Sequence, residues 1–264
     1  MSEIFLTIVI PAYNEALRIG PSLERVRDYL ATKAFRAEVI VVDDGSTDGT
    51  YSLLSTIASG WSTLRILHND GNRGKGYSVR RGVLHANGKV VLFTDADLSA
   101  PIEEADKLIG AMDNGADAII GSRALQRELI GIHQPWFREC AGICFNLLVR
   151  LFTGLRMRDT QCGLKLFRRS STRWAFESQR VEGFGFDPEI LFLIGRSGGK
   201  IVEVPVRWDN SAGSKVRFLQ DSALMFWELV ALRWRALTTG YARYDKWQRA
   251  SQIVEEPINK LGGA

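Results

Sequence analysis

The sequence predicts an α/β protein in which helices cover both faces of a mostly parallel sheet. Short apolar segments rich in β-branched residues alternate with longer amphipathic segments through the first half of the chain. Strand–helix alternation of this kind implies right-handed crossovers between parallel strands. Clusters of polar residues follow several of the strand-like segments. Because open parallel sheets bind ligands beyond the carboxyl ends of their strands, these clusters indicate where a functional site would lie.

Five segments have the composition of strands buried on both faces, and four have the period of helices packed on a sheet. The predicted strands are Leu6–Ile10, Glu38–Asp43, Leu64–Leu67, Lys89–Thr94 and Ala116–Ile120, and the predicted helices are Ile19–Lys33, Thr47–Ala58, Gly76–Ala86 and Pro101–Met112. We expect one domain over residues 1–240, with halves at 1–125 and 126–240, followed by a tail at 241–264.

Two apolar, aromatic segments distinguish the second half. Pro135–Phe152 has a narrow polar strip on an otherwise apolar helix, and Phe218–Leu237 is interrupted by Glu228 and two arginines. Neither has the roughly 20 mostly apolar residues that a membrane-spanning helix requires. We expect these amphipathic segments to lie in a membrane interface, with arginine and tryptophan at the head groups. Packing on the sheet or on a second subunit is the alternative.

The composition is that of an ordinary globular protein, with 264 residues of which 45% are hydrophobic and 24% charged. The net charge of +4 suits an anionic substrate or a membrane surface and is too small to indicate nucleic acid. An odd cysteine count argues against a disulfide framework, and Cys140 and Cys144 are expected to be core thiols. The N-terminal apolar run Ile4–Pro11 is too short for a signal peptide, so a cytoplasmic location is expected.

Asp95 and Asp97 directly follow the predicted strand Lys89–Thr94. Side chains two residues apart in an extended chain point to the same side, so the two carboxylates can converge on one ligand. A hard divalent cation bound to phosphate oxygens would relieve their repulsion. The alternative is a helix cap before the helix that begins at Pro101. The polar residues in Pro11–Glu15 and Asp43–Asp48, which also follow strands, favour the ligand site.

Four motifs occur in order along the first half: Thr7–Glu15 (TIVIPAYNE), Val41–Thr50 (VVDDGSTDGT), Asn72–Gly76 (NRGKG) and Asp95–Asp97 (DAD). In this combination the sequence resembles family 2 glycosyltransferases with the GT-A fold, over roughly residues 5–125. Three further motifs, Asp159–Lys165, Gly183–Glu189 and Gly213–Lys215, are similar to those of the branch that transfers a hexose to a polyprenyl phosphate.

The resemblance implies a Rossmann-like GT-A sheet and an inverting, metal-dependent hexosyltransferase. Residues 1–125 would bind a nucleotide diphosphate sugar, and residues 126–240 would bind a polyprenyl phosphate acceptor on the cytoplasmic face of a membrane. UDP-glucose is the preferred donor and GDP-mannose the alternative. Transfer to a soluble acceptor, and a non-enzymatic protein that binds nucleotide sugar or organises a membrane, are the other readings. A homo-oligomer is compatible with all of them.

The resemblance assigns donor binding to residues at the strand ends and to Mg²⁺ or Mn²⁺ bound by Asp95 and Asp97. The donor-binding residues would be Pro11, Ala12, Tyr13, Glu15, Val42, Asp44, Arg73, Lys75, Asp95, Ala96, Asp97, Arg123 and Gln161. Ser99 stands where mannose-transferring relatives have glutamine, which leaves the third protein ligand of the metal open. Asp48 is expected only to stabilise a turn.

The predicted catalytic residues are Asp97, Arg207, Lys215 and Asp187. Arg207, Lys215 and Arg217 would bind the acceptor phosphate, with Lys165 and Arg168 as further candidates. Asp187 would contact a sugar hydroxyl or act as a base toward a neutral acceptor; alternatively, it caps the helix beginning at Pro188. A phosphate monoester has a second pKa of roughly 6 and is already an anionic nucleophile at neutral pH. No histidine base is therefore needed, and His68, His85 and His133 are expected to be structural.

Overall fold

A computed structural model describes residues 3–112, 114–211 and 218–238. Its first half contains strands β1 (Leu6–Ala12), β2 (Ala37–Asp43), β3 (Leu64–His68), β4 (Val90–Thr94) and β5 (Ala118–Ser122), with helices α1 (Ile19–Ala31), α2 (Thr50–Ser59), α3 (Lys75–Leu84) and α4 (Ala105–Met112). Each predicted element of this half is confirmed, with ends displaced by a few residues. The helix expected from Pro101 begins as a 3₁₀ turn at Ile102–Glu104.

The second half contributes elements that the sequence patterns did not predict. These are β6 (Ile130–Ile132), β7 (Leu164–Arg168), α6 (Arg169–Ser178), β8 (Ile201–Pro205) and β9 (Trp208–Asp209). The expected helices are present as α5 (Trp136–Thr153), α7 (Phe186–Arg196) and α8 (Phe218–Thr238). Short strands that carry charged residues, as in the β7 sequence LKLFR, lack a clear apolar alternation, and so their period did not identify them.

The main sheet has the order β3-β2-β1-β4-β7-β5-β8, and β6 and β9 form a separate two-stranded sheet. Strand β7 is antiparallel to both β4 and β5, whereas the other pairs of the main sheet are parallel. Leu164 at the start of β7 pairs with Thr94, and Arg168 at its end pairs with Val90. This reversal brings the chain segment before Leu164 to the carboxyl end of β4, beside the predicted aspartate pair.

Hydrophobic cores lie on both faces of the sheet. One core packs Ile8 of β1 against α1, α2 and α4, and the other packs Val9 of the same strand against α3, α6 and α7. Strand alternation produces this division because successive side chains point to opposite faces. The prediction of a mostly parallel sheet with helices on both faces is confirmed.

A third apolar cluster joins α5, α7 and α8. The rings of Phe152 on α5 and Phe226 on α8 meet edge to face, with centroids 6.1 Å apart. Since α5 buries only one of its sides, Cys140 and Cys144 are exposed, and the expectation that they are core thiols was wrong. Over the residues that the structure describes, no helix combines the length and apolar character needed to cross a bilayer.

Candidate active site

The aspartate pair lies at the carboxyl edge of the sheet and is paired with cations from two other elements. Nζ of Lys75 lies 2.7 Å from Oδ1 of Asp95, and a terminal nitrogen of Arg18 lies 3.9 Å from Oδ2 of Asp97. Oδ1 of Asp97 accepts a hydrogen bond from the backbone N–H of Ser99 at 3.0 Å. Both carboxylates are partly exposed, so they remain accessible to a ligand.

Asp95 rests directly on the backbone of Gly163, the residue before β7. A Cβ atom at Gly163 would collide with the Asp95 carboxylate, so a larger residue there would displace that carboxylate. The neighbouring Cys162 is fully buried, and burial raises the pKa of its thiol to about 11. The Cys162 thiol is therefore protonated at neutral pH, and the contact of this segment with Asp95 is made by Gly163.

Asp44 anchors the glycine-rich turn that precedes α3. Its Oδ1 accepts hydrogen bonds from Nδ2 of Asn69 at 2.6 Å and from the backbone N–H of Arg73 at 3.0 Å. Its Oδ2 accepts from the backbone N–H of Gly74 at 2.8 Å. Both oxygens of this buried carboxylate thus hold the turn that carries Lys75, a function that the sequence did not reveal.

The other predicted donor-binding residues of the first half surround this edge. The carbonyl of Ala12 accepts from the N–H of Asp44 at 2.8 Å, which joins the ends of β1 and β2, and Pro11 and Tyr13 on either side are partly exposed. Val42 is fully buried and packs near Gly82 of α3, so its side chain is not exposed to a ligand.

Two predicted side chains of this edge are held by ion pairs. Glu15 forms a two-point ion pair with Arg18, through hydrogen bonds of 2.7 Å from Nε and Nη2. The guanidinium of Arg73 lies over the Tyr77 ring and donates to Glu182 at 3.1 Å. Sequence reasoning missed Arg18, which precedes α1 and lies three residues after Glu15.

A buried ion pair lies next to Lys75. Nζ of Lys165 is 2.7 Å from Oδ1 of Asp187, and both side chains are almost fully buried. Burial raises the pKa of Asp187, although Lys165 and Lys75 oppose this shift. Burial would lower the pKa of Lys75, but the carboxylates of Asp95 and Asp187 outweigh burial and raise it. The Nζ atoms of Lys75 and Lys165 lie 5.2 Å and 5.7 Å from the centroid of the Phe93 ring.

Asp187 does not cap its helix. Helix α7 begins at Phe186, and its N-cap is Gly185, which has no side chain that could bond to the first turn. The interpretation of Asp187 as a cap was therefore wrong, because its carboxylate turns inward to Lys165. Its proposed contact with a sugar or acceptor stays a prediction.

Arg123 follows β5 and is fixed by Asp159. Its Nε and Nη2 donate to the Asp159 carboxylate at 2.7 Å and 2.9 Å, and its backbone N–H donates at 3.0 Å. Burial alone would lower the pKa of Arg123, but the Asp159 carboxylate outweighs it and the pKa is raised. The guanidinium also lies 5.3 Å from the centroid of the Trp208 ring. Asp159 is therefore a site residue whose role in holding Arg123 the sequence did not show.

A basic cavity of about 120 Å³ opens between Arg123 and α5. Four arginines and two acids line it together with Gln161, Ile143, Trp208 and others; the charged residues are Arg123, Arg127, Arg138, Arg158, Glu139 and Asp159. Nε2 of Gln161 is buried and has no hydrogen-bond partner in the part of the chain that the structure describes. A second cavity, of about 700 Å³, lies among the C-terminal ends of α5, α7 and α8, next to Ile201 at the start of β8. The aspartate pair lies at the other end of the strands.

The structure separates the predicted acceptor residues. Arg207 follows β8 at the same edge of the sheet, where its Nε donates to Glu104 at 2.8 Å; Glu104 is another residue that the sequence did not indicate. Arg168 lies at the opposite edge and donates to the carbonyls of Met112 and Ala116, which removes it from the site. Lys215 and Arg217 lie outside the described residues.

The residues expected to be structural have local partners. Asp48 accepts from the backbone N–H groups of Thr50 at 3.0 Å and Ala16 at 3.2 Å, as its predicted turn role requires. Nδ1 of His68 lies 2.7 Å from Oδ2 of Asp43. Nδ1 of His85 is 2.7 Å from the Arg81 carbonyl, and Nδ1 of His133 is 2.7 Å from Oε1 of Glu139.

Comparison with known proteins extends the resemblance over most of the chain. A family model described as glycosyl transferase family 2 matches residues 7–174. The dolichyl-phosphate beta-glucosyltransferase of Saccharomyces cerevisiae is 38% identical over 250 residues, covering 88% of this chain and 75% of the relative. The protein of the same name from Drosophila melanogaster is 40% identical over 225 residues, covering 80% of this chain and 69% of the relative.

A solved structure supports the fold. Glucosyl-3-phosphoglycerate synthase from Mycobacterium tuberculosis, in complex with Mn²⁺, UDP and glucosyl-3-phosphoglycerate, has a TM-score of 0.60 and 21% identity, covering 92% of this chain and 81% of that one. The mixed sheet described above is thus a GT-A sheet. The fold, the motifs at its carboxyl edge and the two close relatives lead to one conclusion: this chain is an enzyme that belongs to glycosyl transferase family 2.

Proposed function

We propose that the protein transfers a hexose, with inversion, from a nucleotide diphosphate sugar to a polyprenyl phosphate. The observation that carries the proposal is the basic cavity beside the aspartate pair: Gln161 in its wall is two residues from Gly163, on which Asp95 rests. Two arginines of the wall, Arg138 and Arg158, provide charge for an acceptor phosphate. The names of the two relatives support dolichyl phosphate as the acceptor class and glucose as the sugar.

The residues at the edge fit the divalent cation that such enzymes use. Carboxylate oxygens are hard ligands, and Mg²⁺ prefers one or two carboxylates together with substrate phosphates. Asp95 and Asp97 would hold the ion, and the donor diphosphate would complete its shell. Within the described ranges no group of three or more acidic, histidine or cysteine side chains is placed to hold a metal ion. When bound, Mg²⁺ or Mn²⁺ would supply Lewis-acid stabilisation of the leaving diphosphate.

The reaction needs positioning more than proton transfer. An oxygen of the acceptor phosphate attacks the anomeric carbon as the bond from that carbon to the diphosphate oxygen breaks, and the nucleoside diphosphate leaves. Lys75, on a turn anchored by Asp44, would balance charge on the departing diphosphate, and Arg123, which is paired with Asp159, would share this task. The acceptor is already anionic at neutral pH, so the orientation of its phosphate in the cavity is the main requirement.

Exposed apolar side chains support a membrane location for the acceptor. The α5 side chains Trp136, Ile143, Leu147 and Leu151 form one exposed stripe, and the α8 side chains Leu224, Trp227, Trp234 and Leu237 form another. Leu147 and Leu151 keep 63% and 77% of their surface exposed. Ile143 belongs to the exposed α5 stripe and also lines the basic cavity, so the stripe adjoins the cavity. We propose that both stripes rest on the cytoplasmic face of a membrane.

A donor panel tests the function. The purified protein is mixed with Mg²⁺, one short polyprenyl phosphate and, in separate reactions, UDP-glucose, GDP-mannose or another nucleotide sugar, and the product mass is read directly. We expect one hexose added to the lipid from UDP-glucose. If product forms only with GDP-mannose, the donor assignment changes from UDP-glucose to GDP-mannose. Transfer only to a soluble acceptor would overturn the assignment of a polyprenyl phosphate as acceptor.

A further inference from the structure

Glu228 lies in the middle of helix α8 and faces the loop before α7. It lies between the exposed Trp227 and the buried Leu229. Burial raises its pKa to about 7, although the hydrogen bond that it accepts from Gly185 opposes the shift. A carboxyl group that is desolvated in this way needs a compensating partner. That partner is the backbone N–H of Gly185, which donates to Oε2 at 3.1 Å.

The carboxyl group of Glu228 fits between two glycines. A Cβ atom at Gly183 would lie 3.0 Å from Oε1, and a Cβ atom at Gly185 would collide with Oε2. The loop backbone and the Glu228 carboxyl group are therefore complementary in shape as well as in hydrogen bonding.

The hydrogen bond is also made at the N-terminus of α7. Gly185 is the N-cap of this helix and has no side chain to satisfy the free N–H groups of the first turn. The two acidic residues of the first turn are used elsewhere, Asp187 on Lys165 and Glu189 on the backbone N–H groups of Arg180 and Val181. Glu228 thus supplies, from another helix, the acceptor for the N-cap N–H that a glutamate at the third helical position provides in a capping box.

The loop held by Glu228 forms one wall of the Lys75 turn. The carbonyl of Glu182 accepts a hydrogen bond from the N–H of Tyr77 at 3.1 Å, and the loop backbone leaves no room for a Cβ atom at Gly76. The Phe184 ring lies 6.0 Å from Nζ of Lys75, which itself reaches Asp95. Contacts therefore run without a break from α8, through the loop at 182–185, to the ion pair at the sheet edge.

We propose that Glu228 is a positioning residue through which α8 holds the 182–185 loop, and with it Lys75, in the geometry that transfer requires. The inference rests on the proposed function for its kinetic consequence, but its structural consequence does not depend on that function. Because α8 also carries an exposed apolar stripe, the contact joins the surface proposed to meet the membrane to the residues that face the donor diphosphate.

Variants at Glu228 and Gly185 test the proposal in a short-acceptor assay. Glu228→Leu keeps the bulk and removes the acceptor, and we expect kcat to fall about 10-fold or more because small displacements at a reacting centre are costly. UDP affinity, measured by calorimetry, should stay within about 2-fold because the Asp44 anchor is untouched. Glu228→Gln keeps an acceptor oxygen and should retain kcat within about 3-fold. Ser222→Ala, at an exposed position of the same helix, is the matched control.

A second route reaches the same contact from the loop. Gly185→Ala should lower kcat because its methyl group collides with the Glu228 carboxylate. Glu228→Ala is measured alone and combined with Gly185→Ala. The double variant should lose less activation free energy than the two single variants added together, since both changes act on one contact. Hydrogen exchange of residues 182–187 should rise in Glu228→Leu and Gly185→Ala. Wild-type kcat and exchange in Glu228→Leu would overturn the proposal. If the wild-type protein transfers no hexose, the proposed function fails, while the exchange comparison still decides the role of Glu228.

Discussion

Lys75 and Asp95 form an ion pair across the carboxyl edge of the sheet, with Nζ 2.7 Å from Oδ1. Lys75 begins α3 on a turn held by Asp44, and Asp95 follows β4 and rests on Gly163. Each member of the pair is thus placed by a separate support. A diphosphate bound at this edge would meet a cation from one support and, from the other, the carboxylate that we propose as a metal ligand, so each support can be tested by itself.

Asp97→Asn should keep the fold and lower kcat by roughly 100- to 1000-fold, because a neutral amide replaces an anionic ligand where charge develops on the diphosphate. The measurement is the initial rate across a Mg²⁺ titration, with circular dichroism as the check on folding. Asp28→Asn, at an exposed position of α1, is the control and should keep the wild-type rate. A near-wild-type rate for Asp97→Asn at limiting Mg²⁺ would contradict the metal assignment.

Gly163→Ala should reduce kcat by about 10- to 100-fold, since a Cβ atom at this position displaces the Asp95 carboxylate. The matched control is Gly110→Ala in α4, where a Cβ atom would meet nothing within 4 Å. In a helix interior this change should stabilise the protein by about 0.5–1 kcal/mol and leave kcat unchanged. Equal kinetic effects of the two variants would show that Gly163 does not position Asp95.

Asp44→Asn should weaken UDP binding by about 10-fold or more. The two carboxylate oxygens accept from different backbone N–H groups, those of Arg73 and Gly74, and an amide can accept only one of these bonds. The expected loss corresponds to one hydrogen bond to a charged group, about 1.5–3 kcal/mol. Calorimetry without acceptor measures it, and the acceptor KM should change little. Unaltered UDP affinity would show that the turn held by Asp44 does not contribute to nucleotide binding.

Replacing Leu147 and Leu151 with glutamate should release the protein from anionic vesicles without unfolding it. Both leucines are largely exposed, so the fold tolerates the change, and a charged side chain there resists burial in the bilayer. Flotation with vesicles containing an anionic phospholipid is the measurement. Tyr51→Glu, on α2 in the other half of the domain, is the control for added negative charge. Wild-type protein that stays wholly free of lipid would favour the soluble-acceptor alternative.

Glu228→Gln should flatten the pH dependence of stability. The pKa of Glu228 is raised from 4.5 to about 7, chiefly by burial and then by Glu189 and Asp221, while Gly185 and Arg235 oppose the shift. Between these two values the folded state binds more protons than the unfolded state, so stability falls as pH rises through the window. The urea midpoint of the wild-type protein should fall from pH 4 to 8, and that of Glu228→Gln should fall less. Parallel curves for the two proteins would contradict the raised pKa.

Local sequence patterns were sufficient for the first half of the domain. Buried parallel strands are continuous apolar runs, and the helices between them repeat every three to four residues, so short windows contain the signal. The same windows placed Asp95 and Asp97 at a strand end, where the structure has them beside Lys75. The four ordered motifs identified the family, which the wider comparison confirmed.

The tertiary structure decided how the two halves combine. The antiparallel insertion of β7 brings Gly163 to Asp95, and no local period encodes the partner of a strand. Asp159 holds Arg123 from 36 residues away, Glu228 holds Gly185 from 43, and Glu104 holds Arg207 from 103. Each of these acids reads as an ordinary polar residue in its own segment. Its role depends on which backbone or cation the folded chain places beside it, and that is a property of the topology.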